Sequence, residues 1–380
     1  MRKTINIGDL GTIITGKTPP TTNKNYYGDY AVFIKPTDIS EHSKYTYETE
    51  EMYSKLAAEK YESSLIPKGA ICVPCIGTIG TKMTMAPCDC YTNQSINSII
   101  CNENYDNEYV YYLIKNFLPG LKAYNLGTAS GREYVSKSNF EKIELVAEQD
   151  QEIQKKIGVI LSRYDSLIEN YQKQIKLLEE AAQRLYKEWF IDLHFPGHEN
   201  TNIIDGVPEG WEKKKVGDIT PIITGKKDAN FGTPDGEYPF FTCSQEPIKA
   251  PSFSFDCAAV LLAGNGDFNV KLYRGRFEAY QRTYVLSPYI DSHLYLLFYT
   301  ISANMTKLAA GSSGSTIKFL TKGMIDGINL NVPNDEILRS FNKKVEPIQS
   351  SRESLQSQLR LLTEARDRLL PKLMSGAIEE

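Results

Sequence analysis

The sequence lacks any long apolar run, so it offers no membrane-spanning segment among its 380 residues. No apolar stretch approaches the roughly 18 residues that a helix needs to cross a bilayer. The opening stretch MRKTINIGDL has a basic pair but no apolar region after it, which predicts that there is no signal peptide. We therefore expect a cytoplasmic protein with no membrane partner.

The sequence also lacks the cysteine pattern of a disulfide-bonded protein. It has seven cysteines, an odd number, and five of them fall between Cys72 and Cys101. The spacing of Cys72 with Cys75, and of Cys88 with Cys90, is compatible with zinc. The intervening residues AICVPCIGTIG predict a strand, however, and no second C-x-x-C or histidine pair follows. We therefore interpret these cysteines as small side chains that fill a strand, and we expect no metal site.

Recognisable catalytic motifs are missing as well. None of the four histidines lies in H-E-x-x-H or near a serine or cysteine elbow, and the N-P-P-[FY] signature of methyltransferases is absent. The stretch GTIITGKT (11–18) does match the phosphate-binding pattern G-x-x-x-x-G-K-T. Its β-branched centre favours extended backbone, and Pro19-Pro20 follow where such a loop needs a helix N-terminus. We therefore predict a strand that ends in a Gly-Lys turn, no catalytic residue and no bound cofactor. An enzyme that binds a nucleotide through a loop at 11–18 is a distant alternative to this prediction.

The chain has no excess of positive charge. Its 43 basic and 47 acidic side chains give a net charge of −4, and no large segment is basic overall. Any contact with nucleic acid must therefore come from local basic patches or be shared with a partner.

The sequence contains an internal duplication. IGDLGTIITGK (7–17) aligns with VGDITPIITGK (216–226), and GTASGREYVSKSNFEKIEL (127–145) resembles GSSGSTIKFLTKGMIDGINL (311–330). Two long helical stretches, 151–192 and 335–374, align without gaps at a shift of 184. Along the chain, a globular segment is followed by a long helix, a second globular segment and a second long helix. We expect domains at 1–150 and 196–333, with spacer helices at 151–195 and 334–380.

Heptad spacing predicts that the two long helices pair as a coiled coil. Each helix would be about 60 Å long, which favours a helical partner over packing on its own domain. The second globular half begins near the far end of the first helix, so the pair should run antiparallel. Arg352 and Arg366 occupy two seam positions, and Pro347 should kink the second helix or delay its start. The predicted seam consists of Ile153, Ile157, Ile160, Tyr164, Leu167, Ile175, Leu178, Leu185, Phe341, Val345, Leu355, Leu359, Leu362 and Leu369.

The globular halves are predicted to be mixed α/β. Short β-branched and aromatic runs (AVFIK, GAICVPCIG and SINSIIC; YPFFTC, AAVLLAG and TYVLS) lie between turn residues. Each half also has one apolar helical stretch, at 107–118 and 292–305. The expected fold is therefore two mixed α+β heads separated by an antiparallel coiled coil, related as a pseudo-two-fold repeat.

The order and duplication of these segments resemble the specificity subunit of type I restriction–modification systems, over essentially the whole chain. GDLGTIITGKTP resembles the family's first strand, and LIPKGAICVPCIGTIGTKM with TNQSINSII resembles its strand, Gly-x-x-Gly turn and Asn-Gln segment. RLYKEWFIDLHFPG and RDRLLPKLMSGAI resemble its two conserved regions. The second half departs from this pattern, with AGNGDF in place of IGTIGT and Gln281 alone in place of Asn93-Gln94.

This resemblance implies a non-catalytic subunit that binds double-stranded DNA. Each head would be a target recognition domain for one part of a bipartite, asymmetric sequence. The helices would set the spacing and dock two methylation subunits, which use S-adenosylmethionine, and restriction subunits would complete the complex. The alternative is a two-headed scaffold or ligand-binding protein that does not bind DNA.

Basic, hydroxyl and amide side chains on loops are the candidates for DNA contact, because phosphate contacts position a protein and base contacts specify sequence. The alternative for each is an ordinary solvated side chain. The segment Lys271-Leu-Tyr-Arg-Gly-Arg-Phe combines three cations and two aromatics in seven residues, and it is the strongest cluster. The candidates are Lys17, Thr18, Lys35, Thr37, Asn93, Gln94, Arg132 and Lys137 in the first half and Lys226, Lys227, Lys271, Arg274, Arg276, Arg282, Lys318 and Lys322 in the second.

Overall fold

The computed structural model describes residues 1–77, 79–127, 133–312 and 318–378. The chain divides into two compact units. The first unit comprises Met1–Lys173 and Leu355–Glu380, and the second comprises Gln174–Ser354. Each unit therefore contains one globular part and a portion of both long helices.

The first unit is built on two four-stranded sheets, with strand orders β2-β9-β6-β7 and β3-β5-β4-β8, and on the pair β1-β10. Pairing is antiparallel except between β4 and β8, which run parallel. The strands are β1 (Arg2–Asn6), β2 (Gly11–Thr15), β3 (Tyr27–Gly28), β4 (Ala31–Ile34), β5 (Met52–Tyr53), β6 (Ile71–Pro74), β7 (Thr84–Met85), β8 (Tyr91–Thr92), β9 (Ile96–Cys101) and β10 (Glu144–Glu148). The helices are α1 (Lys55–Lys60), α2 (Asn107–Phe117), α3 (Lys137–Glu141) and α4 (Gln151–Tyr186), the last of which continues into the second unit.

The second unit is built on one six-stranded sheet of order β14-β19-β17-β18-β15-β16 and on the pairs β11-β12 and β13-β20. Here β15 and β18 are the parallel neighbours. The strands are β11 (Ile203–Ile204), β12 (Val207–Pro208), β13 (Glu212–Lys215), β14 (Ile223–Thr224), β15 (Tyr238–Phe241), β16 (Ile248–Ala250), β17 (Phe255–Ala263), β18 (Val270–Ala279), β19 (Thr283–Leu286) and β20 (Asn329–Val332). The helices are α5 (Val216–Ile219), α6 (Leu294–Gly311), α7 (Lys322–Asp326) and α8 (Asp335–Ser375), the last of which continues into the first unit.

The duplication is visible in the structure down to single hydrogen bonds. The pair β1-β10 and the pair β13-β20 frame the start and end of the two globular parts. After each first strand the chain makes one helical turn that an aspartate closes. The Asn6 N–H donates to Asp9 Oδ2 at 2.8 Å, and the Lys215 N–H donates to Asp218 Oδ2 at 2.7 Å. The predicted repeat is therefore confirmed.

The repeated IITGK stretch is a strand followed by a glycine that touches a neighbouring backbone. The Gly16 N–H donates to the Ile96 carbonyl at 3.1 Å, and the Gly225 N–H donates to the Thr283 carbonyl at 3.2 Å. A Cβ atom would lie 2.1 Å from the Thr92 carbonyl oxygen at Gly16, and 1.8 Å from the Ala279 carbonyl oxygen at Gly225. Glycine is thus retained in both copies because the backbones meet there, and the strand prediction is confirmed.

This contact gives a stability prediction. We expect Gly225→Ala to lower the free energy of unfolding of the second unit by roughly 2–4 kcal/mol, because the methyl group must push two strands apart. Gly323→Ala is the control, since a Cβ at Gly323 in α7 meets nothing within 4 Å. That change should be neutral or slightly stabilising. Urea unfolding followed by tryptophan fluorescence measures both, and equal effects of the two variants would contradict the explanation.

The two long helices pair antiparallel within each unit. In the second unit, Glu179 of α4 forms an ion pair with Arg352 of α8 at 3.3 Å. Eleven residues after Glu179, in the helical turn Lys187–Ile191 that continues α4, the Phe190 ring lies 4.7 Å from the ring of Phe341, which is eleven residues before Arg352 in α8. In the first unit, Arg366 of α8 forms an ion pair with Asp165 of α4 at 2.6 Å. The predicted pairing and its direction are therefore confirmed.

One predicted seam residue does not lie in the seam. Leu167 is 45% exposed, so it does not belong to the seam; Ile157, Leu161, Asp165 and Ile168 form the buried line there instead. Apolar spacing alone could not reveal this, because Asp165 is polar. The other predicted seam residues are buried or partly buried, as are Arg352 and Arg366. Helix α8 begins at Asp335 and continues through Pro347, so of the two predicted effects of this proline, a kink or a later start, the later start does not occur.

Three of the five clustered cysteines belong to the core of the first unit, whereas Cys88 is exposed and Cys101 is half-buried. Cys72 lies in β6, Cys75 follows directly, and both side chains are buried, as is that of Cys90. Burial raises the pKa of the Cys72 thiol to about 11 and that of the Cys75 thiol to about 12. These thiols stay protonated at neutral pH, which agrees with the prediction that they fill a strand.

Among the described residues, no helix combines the length and apolarity that crossing a bilayer requires.

Candidate nucleic-acid interface

One edge of the first unit's β2-β9-β6-β7 sheet gathers four loop segments. Because β2, β9 and β6 alternate in direction, the end of β2, the start of β9 and the end of β6 meet at the same edge. The Cys75 N–H donates to the Ser95 carbonyl at 2.7 Å, and the Val135 N–H donates to the Cys75 carbonyl at 2.9 Å. We call this surface the first loop edge and define it as residues 16–18, 75–77, 93–95 and 133–135.

The second unit has the same pattern of backbone hydrogen bonds at the equivalent edge of its six-stranded sheet. The Gly264 N–H donates to the Arg282 carbonyl at 2.8 Å, and the Leu320 N–H donates to the Gly264 carbonyl at 2.8 Å. A bridge between Asn265 and Phe319 repeats the bridge between Ile76 and Tyr134. We call this surface the second loop edge and define it as residues 225–228, 264–267, 280–282 and 318–320.

At the first loop edge, the structure brings together four of the predicted contact residues. The Thr18 hydroxyl donates to Gln94 Oε1, and both side chains are exposed. The Lys17 N–H donates to the Thr92 carbonyl at 2.9 Å, which holds the turn beside the Asn-Gln segment. Asn93 Oδ1 accepts from the Ser95 N–H at 3.0 Å, so this amide oxygen shapes the loop. Lys17, Thr18 and Gln94 remain as the outward-facing groups.

The second loop edge carries more positive charge. Lys226, Arg282 and Lys318 are exposed, and the Lys227 ammonium lies 4.3 Å from the Phe231 ring centroid. Within the described part of the second unit, none of these four cations forms an ion pair within 4 Å. Gln281 Nε2 donates to Asp228 Oδ1 at 2.7 Å, in the place where the first edge has the Gln94 and Thr18 pair. With Asp228 and Asp267, the edge holds four basic and two acidic groups.

Lys35 and Thr37 follow β4, next to the first loop edge. The Asn93 N–H donates to the Ile34 carbonyl at 3.1 Å, which ties the two segments together. Lys35 Nζ donates to Glu50 at 2.7 Å and to Glu51 at 3.2 Å. Burial opposes its charge, but these two hydrogen bonds outweigh that effect and raise the pKa of Lys35. Its charge is therefore already balanced within the protein, whereas Thr37 is exposed.

The segment 271–277 does not form one basic patch, because it is part of β18, where successive side chains alternate between faces. Arg274 lies against α6 and α8: it donates to the Tyr295 hydroxyl at 2.8 Å and approaches Glu346 at 3.7 Å. Arg276 forms an ion pair with Asp256 at 3.2 Å. Lys271, on the opposite face, donates to the Ser244 carbonyl at 2.8 Å, and burial lowers its pKa. The predicted cluster is thus split into three separately partnered cations.

The remaining candidates lie at the starts of two short equivalent helices. Lys137 and Lys322 are the first residues of α3 and α7, each preceded by a hydroxyl cap. Both lysines are exposed, and Lys137 approaches Glu141 at 3.6 Å. Arg132 lies outside the described residues.

Sequence reasoning missed the aromatic residues Tyr134 and Phe319 at the two loop edges. They are equivalent in the bridges just described, and Phe319 is 40% exposed. The signal was available, because the two residues fall at the same position when 127–145 is aligned with 311–330. An exposed aromatic ring beside cations suits contact with sugars and bases.

Comparisons with known proteins agree with this duplicated architecture. A family model of the type I restriction modification DNA specificity domain matches residues 2–180 and again residues 208–351. The MjaIX specificity subunit of Methanocaldococcus jannaschii is 26% identical over 404 residues, which cover 98% of this chain and 92% of that protein. The EcoDI specificity subunit of Escherichia coli is 35% identical over 176 residues, which cover 45% of this chain and 39% of that protein.

A solved structure shares the fold. The type I restriction–modification S subunit from M. genitalium has a TM-score of 0.66 at 16% identity, covering 98% of this chain and 96% of that chain. The family model matches well over half of the sequence and falls once on each half. The chain therefore belongs to the type I restriction modification DNA specificity family.

Proposed function

We propose that this chain is the DNA-reading specificity subunit of a type I restriction–modification complex, with each unit reading one half of a bipartite, asymmetric target. This proposal is supported by one observation at the two loop edges: their backbone hydrogen bonds are the same, whereas their exposed side chains differ. The backbone hydrogen bonds repeat, but the exposed pair at the first loop edge is the Thr18 hydroxyl with Gln94, and the exposed pair at the second is Gln281 with Asp228. One scaffold that presents different donors and acceptors is suited to two different base sequences.

The electrostatics support a division of labour between the chain and its partners. With a net charge of −4, the chain alone offers little long-range attraction for DNA. The cations of the second loop edge can contact phosphates, and the hydroxyl and amide groups of the first can contact base edges. We infer that partner subunits supply further phosphate contacts and close around the duplex.

We further propose that the chain is not itself catalytic. Two methylation subunits would dock on α4 and α8 and carry S-adenosylmethionine, and restriction subunits would join that core. The support for two docking places is the duplication of the helices themselves, which align without gaps.

The test separates the two half-sites. We expect Thr18→Ala with Gln94→Ala to relax base preference in one half of the target and to leave the other half and the gap unchanged. The matched variant in the second unit, Asp228→Ala with Gln281→Ala, removes the equivalent hydrogen-bonded pair and should affect only the other half. Sequencing the methylated sites made by each assembled complex in a host gives the readout. A variant that altered both halves, or two variants that altered the same half, would contradict one unit per half-site.

A further inference from the structure

The second unit contains a cavity between its helices and its sheet. The cavity lies where α4, α6 and α8 meet the start of β18, and its volume is about 270 Å³. In the liquid, about nine water molecules take up this volume, so a compact molecule of roughly as many non-hydrogen atoms fits there. Its lining includes the apolar Val270, Phe298 and Met305 and the polar Glu179, Ser302 and Arg352.

The first unit has an equivalent place, formed by α2, α4 and α8. The Tyr112 hydroxyl of α2 donates to Asp165 of α4 at 2.6 Å, and the Tyr299 hydroxyl of α6 accepts from Gln349 of α8. Asp165 and Gln349 fall at the same position when the two long helices are aligned at a shift of 184. An edge-on aromatic neighbour precedes each tyrosine, with ring centroids 5.1 Å apart in α2 and 5.0 Å apart in α6. The two tyrosines are therefore equivalent, and they align α2 with α6.

Two long cationic side chains in the first unit have two short counterparts in the second. The third residue after the tyrosine is Lys115 in α2 and Ser302 in α6. Arg366 of α8, which pairs with Asp165 at 2.6 Å, has Ala182 of α4 as its counterpart. Burial lowers the pKa of Lys115, and the Arg366 side chain is only 8% exposed, so both cations occupy interior space. The cavity of the second unit thus coincides with the loss of two long side chains.

The second unit also has two buried polar atoms without a hydrogen-bond partner at this place. Among the described residues, nothing pairs with Arg352 Nε or with Gln349 Oε1, although both atoms are buried. The two residues are three positions apart, so they lie on one face of α8. A buried donor and a buried acceptor each cost stability when they are left unpaired, unless a bound molecule satisfies them.

The charges around the cavity indicate what kind of molecule it accepts. Glu179 and Arg352 form an ion pair at 3.3 Å, so the lining carries no net charge. The guanidinium carbon of Arg352 also lies 5.7 Å from the centroid of the Phe298 ring. A simple anion would meet the glutamate and a simple cation would meet the arginine, which disfavours both. The cavity therefore suits an uncharged molecule with an apolar side.

We propose that this cavity binds a small uncharged molecule with a planar amide-type group, in which an N–H donor lies beside a C=O acceptor. The carbonyl would accept from Arg352 Nε and the N–H would donate to Gln349 Oε1, so that both unpaired atoms are satisfied. The rest of the molecule would lie against Val270, Phe298 and Met305. Two sources offer this chemistry, a free carboxamide and the lactam edge of a nucleobase.

The experiment observes two probes, benzamide and uracil, by saturation-transfer NMR on the full chain. A molecule of this size should bind with a dissociation constant in the millimolar range. N,N-dimethylbenzamide and 1,3-dimethyluracil lack the N–H donor, and benzoate is charged, so each should bind about tenfold more weakly than its parent probe. Tighter binding of benzamide would identify a carboxamide, and tighter binding of uracil would identify a nucleobase. If neither probe bound, or if the methylated probes bound equally well, the inference would be overturned.

Variants at one position show whether the probe occupies this cavity. Ser302→Leu and Ser302→Lys fill the space and should each abolish binding. Ser302→Ala is the control, because it removes only a hydroxyl that donates to the Phe298 carbonyl of the same helix at 2.8 Å, and it should bind like the wild-type chain. Tryptophan fluorescence during urea unfolding shows that each variant is folded. Undiminished binding by a folded, filled variant would place the probe elsewhere and contradict the inference.

This result is distinguishable from a failure of the proposed function. The substituted serine belongs to neither loop edge, so the pattern of methylated target sites should be the same for the filled variants and the wild-type chain. Probe binding that is lost while target reading is retained is the expected outcome.

Discussion

Neutralising the second loop edge is expected to abolish most duplex binding by the second unit. The variant combines Lys226→Ala, Lys227→Ala, Arg282→Ala and Lys318→Ala, which removes four cations that form no ion pair within the described part of that unit. Each charged contact with phosphate contributes about 1 kcal/mol, so the four together account for roughly a 10³-fold loss of affinity. The loss should be similar for all sequences, because phosphate contacts carry little base information.

Salt dependence gives the sharper measurement of this effect. Every phosphate contact removed should lower the slope of log affinity against log salt concentration by about 0.9, so the slope should fall by about 3 to 4. Titration of a target duplex with the assembled methylation complex at several salt concentrations measures both quantities. Lys343→Ala with Lys344→Ala is the control in the same unit, on an exposed part of α8, and should change neither. An unchanged slope in the fourfold variant would favour a two-headed scaffold that does not bind DNA through this edge.

Local patterns predicted the elements of the globular parts well. The β-branched runs became β4, β6, β9, β15, β17 and β19, and the apolar stretches became α2 and α6. The strand β18 was missed because its charged residues hide the alternation of buried and exposed positions. The parallel pairs β4-β8 and β15-β18 could not be inferred either, since they join segments that are distant in sequence.

The candidate site shows the same limit more clearly. Thr18 and Gln94 were both identified as candidates, but their contact depends on the register of β2 against β9, which no local signal specifies. Lys271 and Arg274 are three residues apart in sequence, and the pleat of β18 places them on opposite faces. Distance in sequence therefore concealed the contact of Thr18 with Gln94, and closeness in sequence wrongly suggested that Lys271 and Arg274 lie together.

Breaking the buried ion pair between the long helices is expected to loosen the first unit strongly. Arg366 and Asp165 lie 2.6 Å apart with side chains only 8% and 5% exposed, and the Tyr112 hydroxyl donates to the other carboxylate oxygen at 2.6 Å. Arg366→Ala leaves the carboxylate buried without its cation, which typically costs about 3–5 kcal/mol. Because the loss falls on the helical part of the first unit, amides of residues 151–165 should exchange hydrogen roughly 10²-fold faster or more.

Two controls identify the cause of that loosening. On the same helix, Arg368→Ala removes the partner of Glu364, and because these side chains are 77% and 50% exposed, it should cost only about 0–1 kcal/mol. The double variant Asp165→Asn with Arg366→Met removes both charges and leaves an amide oxygen for Tyr112, so it should recover most of the protection. Trp189 and Trp211 both lie in the core of the second unit, so their fluorescence during urea unfolding reports on that unit separately. Arg366→Ala should leave that transition nearly unchanged. If the amides of the double variant exchanged hydrogen as fast as those of Arg366→Ala, the uncompensated carboxylate would not be the cause of the loosening. The lost packing of the Arg366 side chain would then be the cause.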